Sequence, residues 1–307
     1  MTLISVFLSV LSYYCIEKND WFSSAKFVSV SLPLIIVFGT ITFLYPNNPF
    51  NKSLSLYDDE SYAIGNYADE YNNKIREAQF NSSNCFITIG NNMEDYNWSG
   101  CLQLSDTKKN ILLIGDSHAA QFSQSLQEQI GDLLNIMELN AGIVFPFKNP
   151  KGQPESVKLI NRFYNEFLPD HIDELDVVIL SLHWPMYRNP QIGYSKKELL
   201  KSYTEFLNYF KNKGVSVLVI GQQESYTIAF SKIIMLQKTL AKDNVNPFIN
   251  KYIDAETNRD MEWLKENTPN SQYIDIYDLE EVVKLNDEGV PYMVDKITIV
   301  RWERIKL

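Results

Sequence analysis

Apolar and polar positions divide the chain into three stretches of different character. The first is nearly free of charge. Thr2–Ile16 (TLISVFLSVLSYYCI) and Phe27–Tyr45 (FVSVSLPLIIVFGTITFLY) carry no charged side chain. At about 1.5 Å per residue the second run comes close to the thickness of a bilayer core, roughly 30 Å. Pro33 and Gly39 are no obstacle, since both residue types are common in lipid-embedded helices. A cleaved secretory leader would need a basic start and a small-residue cleavage site, and neither is present. The pattern predicts two transmembrane helices, over about 2–16 and 27–45. Lys18 and Lys26 both fall between them, so the positive-inside bias puts that loop in the cytoplasm and residues 46–307 outside the membrane.

Residues 46–80 are polar and tyrosine-rich and read as a linker, with a faint helical pattern near its end. From residue 81 short apolar runs alternate with helical periodicity. Strands are predicted at Asn110–Ile114, Leu134–Leu139, Val177–Leu182, Val215–Ile220 and Gln272–Ile276. Helices are predicted at Ala119–Gln129, Val157–Leu168, Lys196–Lys213 with Gly214 as the stop, Asp254–Asn267, and around Leu279–Leu285. Gln222–Asn246 shows no regular pattern. Runs as continuous as VVILSL and VSVLVI suit strands covered on both faces, the mark of a parallel sheet between helix layers. The expectation is an α/β domain over 81–307.

Charge narrows the class of partner. Of 28 basic and 38 acidic residues only two of each precede residue 51, so the formal charge of −10 sits on 51–307. Such a surface repels nucleic-acid phosphates, and no basic stripe offsets it. Cys15 lies within the first apolar run, whereas Cys85 and Cys101 bracket CFITIGNNMEDYNWSGC, with no histidine nearby and no CxxC spacing that would suggest zinc. A disulfide between Cys85 and Cys101 is predicted, which requires an oxidising compartment outside the cytoplasm; two unpaired buried thiols are the alternative. No metal site is expected. Asn51, Asn81 and Asn97 begin glycosylation sequons, a pattern that arises often by chance.

The candidate chemistry is in ILLIGDSHAAQF, residues 111–122. Ser117 follows a buried strand and precedes a helix, at the edge of a parallel sheet where ligands bind. Gly115 would permit a tight turn, and free amides at the helix start could stabilise an oxyanion. A serine hydroxyl needs a base, and the base needs an orienting group, before it acts as a nucleophile. The simpler alternative is that Ser117 or Asp116 only caps the helix.

IGDSHAAQF after an apolar strand resembles the first block of the SGNH hydrolase superfamily, in the GDSHA form of the extracytoplasmic domain of acyltransferase-3 membrane proteins, which O-acetylate cell-surface polysaccharides. SVLSYYCIEK is similar to the end of that family's membrane core, VVILSLHW (Val177–Trp184) to its strand ending in tryptophan, and the cysteine-bracketed loop precedes the GDSH block as it does there. The resemblance implies a flavodoxin-like, three-layer parallel sheet preceded by two transmembrane helices, in a protein of the bacterial inner membrane with residues 46–307 in the periplasm. It implies Ser117 as the nucleophile, the Ser117 amide and Gly142 (in NAGIVFPF) as oxyanion donors, and Asp295 as the acid of a late Asp-x-x-His. Asp116, His118, His183 and Trp184 would line the substrate site. The acceptor would be a cell-surface polysaccharide or lipopolysaccharide, with membrane lipid around the anchor. The family's domain needs no cofactor of its own, and an acyl donor such as acetyl-CoA would be handled by the many spans that precede this point in the family.

The chain departs from the family's pattern at its end. From Asp295 it reads DKITIVRWERIKL, so Thr298 stands where the histidine is expected, and the family's ending is replaced as if by another reading frame. Starting inside the last expected spans and ending so, the sequence reads as a fragment of doubtful catalytic competence. Three histidines are candidates to replace the base. His118 reads as a local hydrogen-bonding partner of the motif, His171 as a solvated helix-end residue, and His183 as a pocket-lining residue at the sheet edge. Asp116 alone is too weak a base near neutral pH. Beside the O-acyltransferase stand two alternatives: a periplasmic carbohydrate acetylesterase, and a non-catalytic glycan-binding or interaction domain.

Overall fold

A computed structural model of the chain describes residues 59–65, 73–239 and 250–276. All belong to residues 57–307, one of the two units into which the chain divides. The two apolar segments expected to span a membrane lie outside the described residues, as do the helix expected near Leu279–Leu285 and the segment holding Asp295 and Thr298. Among the described residues no helix is long and apolar enough to cross a membrane.

Six strands form one sheet: β1 (Phe86–Ile87), β2 (Asn110–Gly115), β3 (Asn135–Ala141), β4 (Val177–Ser181), β5 (Ser216–Ile220) and β6 (Tyr273–Ile274). Their spatial order is β1-β3-β2-β4-β5-β6, and every neighbouring pair is parallel. From β2 the chain moves outward to β3, then crosses back to β4 on the other side. The winding therefore reverses between β2 and β4, the point at which open parallel sheets leave a crevice at their carboxyl ends. Eight helices are numbered here: α1 (Asp59–Gly65), α2 (Asn73–Gln79), α3 (Ser117–Ala120), α4 (Ser123–Ile130), α5 (Pro154–Arg162), α6 (Lys196–Asn212), α7 (Phe230–Thr239) and α8 (Ala255–Glu266).

Strand side chains alternate between two faces, as the pleat requires. Leu112, Ile114, Met137, Leu139, Val178, Leu180, Val217 and Val219 join the larger core with Leu159 and Ile160 of α5 and Tyr203, Phe206 and Phe210 of α6. Leu113 and Ile179 turn to the other face, against Ala119 of α3, Phe122 and Leu126. Ser195 caps α6 through a reciprocal capping box with Glu198.

Several elements differ from the sequence reading for identifiable reasons. The helix expected at Ala119–Gln129 is two helices. The His118 carbonyl accepts from Ser181 Oγ (3.1 Å) and Gln121 Nε2 (3.1 Å), and the Phe122 amide turns to Ala119 instead. The helix expected at Val157–Leu168 starts earlier, with Pro154 in its first turn, and widens into a π segment at Phe163–Phe167. Pro169 has no amide to offer the carbonyl four residues back, which favours such a widening. β1 lies inside the cysteine-bracketed loop, and α7 inside the stretch read as patternless. Phe230, Ile233 and Ile234 are buried at helical spacing there, a short signal that was present in the sequence. The linker carries α1 and α2. Cys85 and Cys101 form a disulfide, with Cα atoms 5.5 Å apart; it ties the residue before β1 to the helical turn Trp98–Cys101.

Candidate functional site

Ser117 opens α3 directly at the carboxyl end of β2 and is partly exposed. Gly115 makes this possible in a different way from the turn expected of it. It is the last residue of β2, and its φ is not in the left-handed region. A Cβ there would collide with the Ser181 carbonyl oxygen and come within 2.7 Å of Ala119 Cβ. Glycine is required because β2, β4 and α3 meet with no room for a side chain.

Asp116 is the N-cap of α3 and almost wholly buried. Its Oδ1 accepts the His118 amide at 2.8 Å, and its Oδ2 accepts the His183 amide at 2.9 Å from the far side of the crevice. Burial pushes its pKa up to about 7, against the opposing effect of these two hydrogen bonds. The imidazoles of His118 and His183 stack, with centroids 4.8 Å apart and planes inclined by 2°. Burial lowers the pKa of both: His118 well below its ordinary value, with His183 adding to the effect, and His183 to about 4, with Arg188 adding to it. Two neutral rings can stack where two cations would repel. His118 Nε2 is buried without a hydrogen-bond partner.

The helix-start amides are largely taken. Those of Ala119 and Ala120 donate to the Asp116 carbonyl and that of His118 to the Asp116 carboxylate; the Ser117 amide is not among these donors. Gly142 lies just past the end of β3, and its amide donates to the Ile87 carbonyl at 2.8 Å. As an oxyanion donor it is therefore corrected: edge strand β1 takes its N–H. A Cβ on Gly142 would approach Thr88 Cβ to 3.0 Å, so close packing against β1 again accounts for the glycine. Ile143 follows in the left-handed region (φ 54°), a strained conformation for a β-branched residue, and its carbonyl accepts the Gln153 amide at 2.9 Å.

Trp184 is fully buried. Its ring packs against Tyr203 (5.2 Å) and Phe145 (6.4 Å) in the larger core, so it anchors the segment after β4 and offers no open face to a substrate. His171 stands apart at a helix end, hydrogen-bonded through Nδ1 to Glu174 at 2.8 Å. Among the described residues no cluster could hold a metal ion.

Sequence reading missed the polar shell beneath the site. Gln121 Nε2 donates to Gln223 Oε1 at 2.9 Å, Gln222 Oε1 accepts the Trp184 amide at 3.0 Å, and Ser181 Oγ reaches the His118 carbonyl. Gln222–Ser225, all buried, follow the apolar run of β5 after one residue, Gly221. A polar run at the carboxyl end of an inner strand is a signal of a site edge that could have been read.

Fold and site define a flavodoxin-like α/β domain that presents a serine at its switch point. Residues 84–296 match the family described as "SGNH domain (fused to AT3 domains)", and the chain belongs to that family. Among solved structures, the periplasmic domain of a lipopolysaccharide acetyltransferase from Salmonella ser. Paratyphi A is similar, with a TM-score of 0.52 at 18% identity over 77% of this chain and 90% of that one. A GDSL-like lipase from Bacteroides thetaiotaomicron aligns at 0.36 and 9% identity (63% and 84% covered). An acetylxylan esterase from Geobacillus stearothermophilus aligns at 0.34 and 13% (62% and 88%). No curated protein sequence matches the chain.

Proposed function

We propose that residues 46–307 form the membrane-tethered, extracytoplasmic domain of an O-acyltransferase that acetylates a cell-surface polysaccharide or lipopolysaccharide, with Ser117 as the residue that takes the acyl group. The observation that carries this is the placement of Ser117, partly exposed at the carboxyl edge of the sheet beside the switch point. Membership of the SGNH family fused to AT3 domains supports it, and the similar Salmonella domain comes from a lipopolysaccharide acetyltransferase. In the proposed reaction Ser117 Oγ attacks the acyl carbonyl and loses its proton to a base, while the donor's leaving atom departs with a proton. An acceptor hydroxyl then attacks the acyl-serine and gives up its proton, and the bond to Oγ breaks as Oγ takes a proton back. The Ser117 amide is the donor within the turn that can meet the developing oxyanion.

His118 and His183 are poor bases at neutral pH, because burial disfavours their protonated forms. Slow turnover follows for the chain as it stands. Thr298→His, at the place the family pattern gives to its histidine, is expected to raise turnover by orders of magnitude, since a triad histidine contributes that much. The reading itself is tested with a fluorophosphonate probe on the full chain. Ser117 Oγ should form the bond to phosphorus as fluoride leaves, and Ser117→Ala should abolish labelling. Equal labelling of both proteins would put the nucleophile elsewhere. Acetate release to water with no glycan present would make the protein a carbohydrate acetylesterase.

A further inference from the structure

Asp116 does more than cap a helix. An N-cap uses one side-chain oxygen, and α3 has that bond from the His118 amide to Oδ1. The second oxygen reaches across the switch point to the amide of His183, the second residue past the end of β4. One buried carboxyl group thus accepts an N–H from each bank of the crevice. The two residues whose amides it holds are those whose rings stack at 4.8 Å. Ser181 Oγ bonds the His118 carbonyl from below, and Gln222, just past β5, holds the Trp184 amide.

We propose that Asp116 is a positioning residue that straps the Ser117 turn to the His183 segment and so fixes where the serine hydroxyl stands relative to the opposite wall of the crevice. The proposal rests on the reading of Ser117 as the nucleophile for its consequence in activity, while the strap itself is a statement about two hydrogen bonds. Its chemistry demands two acceptor oxygens on one side chain. Asparagine caps helices as well as aspartate does, yet offers only one acceptor, and its NH2 would face the His183 N–H donor to donor. Asp116→Asn therefore separates cap from strap. The other end can be cut as cleanly. His183 has φ −75°, which proline adopts without strain, and proline has no N–H. His183→Ala removes the ring and keeps the amide; His183→Pro removes both.

The experiment measures two quantities on the full-length chain. The first is fluorophosphonate labelling at Ser117, resolved into probe affinity and the rate of bond formation. Measured at pH 8, where the Asp116 carboxyl is ionised, Asp116→Asn should slow bond formation about ten- to a hundred-fold, the usual worth of a hydrogen bond to a charged group, with affinity little changed. His183→Pro should be slower than His183→Ala by a similar factor, and Asp116→Asn should add nothing in the His183→Pro background. The second is deuterium uptake by peptides spanning 182–188, which should rise in Asp116→Asn and His183→Pro but not in His183→Ala. Wild-type labelling and uptake in Asp116→Asn, or additive effects of Asp116→Asn and His183→Pro, would overturn the strap. If Ser117 is not labelled even in the unaltered protein, the nucleophile reading fails, and deuterium uptake alone decides the strap.

Discussion

The two faces of the sheet are held by different physics. On one, Leu112, Ile114, Met137, Leu139, Val178 and Leu180 meet α5 and α6 across a core crowded with rings, Phe147 against Phe206 at 5.6 Å and Phe206 against Phe210 at 4.9 Å. On the other, β3 turns Glu138 and Asn140 inward, both buried, and the side-chain Oδ1 and Nδ2 of Asn140 have no hydrogen-bond partner. Gln79, Gln121 and Gln223 continue this polar layer toward Ser117, with Gln79 Nε2 on the Gln121 carbonyl at 3.0 Å. Area burial is non-directional and supplies stability, whereas buried polar groups are costly unless each finds its partner in one geometry. The face that carries the serine is thus the less stable and the more specified of the two.

Three substitutions test that division. The largest effect is expected at the seam, where Gly115→Ala forces a methyl into the Ser181 carbonyl oxygen. Neither strand can move without unzipping the β2–β4 pairing, so a loss of about 4 kcal/mol or more and no labelling of Ser117 are expected. Chemical denaturation reads the first and the fluorophosphonate probe the second. On the apolar face, Phe147→Ala should cost about 3–5 kcal/mol through the cavity left among the rings, and surviving folded protein should keep its Ser117 reactivity. On the polar face, Glu138→Gln should change stability by about 1 kcal/mol or less. Burial already holds this carboxyl's pKa above its ordinary value, and glutamine keeps an acceptor for Asn81 Nδ2, now at 3.4 Å. If Glu138→Gln cost as much as Phe147→Ala, the two faces would not differ in kind.

The disulfide lies between these cases. It anchors the residue before edge strand β1, whose Ile87 carbonyl takes the Gly142 amide. Its sequence separation of 16 implies about 3 kcal/mol in the chain-entropy model. Reduction, or the pair of changes Cys85→Ser and Cys101→Ser, should lower the melting temperature accordingly. Peptide mapping without reductant should find the two cysteines linked.

The apolar face was the legible one. Continuous runs such as ILLI and VVILSL state burial directly, and they placed the inner strands to within a residue or two. Ser117 was legible because a strand, a glycine and a helix start fall in sequence. The polar shell was not, since Gln121 meets Gln223 across 102 positions and Asp116 meets His183 across 67. No local pattern encodes such a pair. Gly115 and Gly142 show a subtler limit. Both were recognised as special, but one serves close packing where a turn was expected, and the other has its amide taken by β1, a strand too short to announce itself.

The smallest effect tests the charge state of the polar face. Asp116 has its pKa raised by burial from 3.8 to about 7, so the folded state holds a proton that the unfolded chain has released. Its contribution to stability is greatest below pH 4 and is lost as pH rises through 7. His183 runs the other way. Its pKa falls from 6.5 to about 4, so its contribution is present above pH 6.5 and lost as pH falls through 4, and His118 has the same sign. Between pH 4 and 6.5 the Asp116 and His183 slopes nearly cancel, leaving the His118 slope, so acidification destabilises. Above pH 6.5 the folded state still holds the Asp116 proton while the unfolded histidines release their last protons, so the opposing contributions nearly cancel and stability should change little toward pH 8. Asp116→Asn should leave stability rising between pH 6.5 and 8 and steepen the acid side, because the cancelling group is gone. Denaturation midpoints between pH 4 and 8 would show both changes. An unchanged pH dependence in Asp116→Asn would mean that another buried acid, such as Glu138, carries the proton.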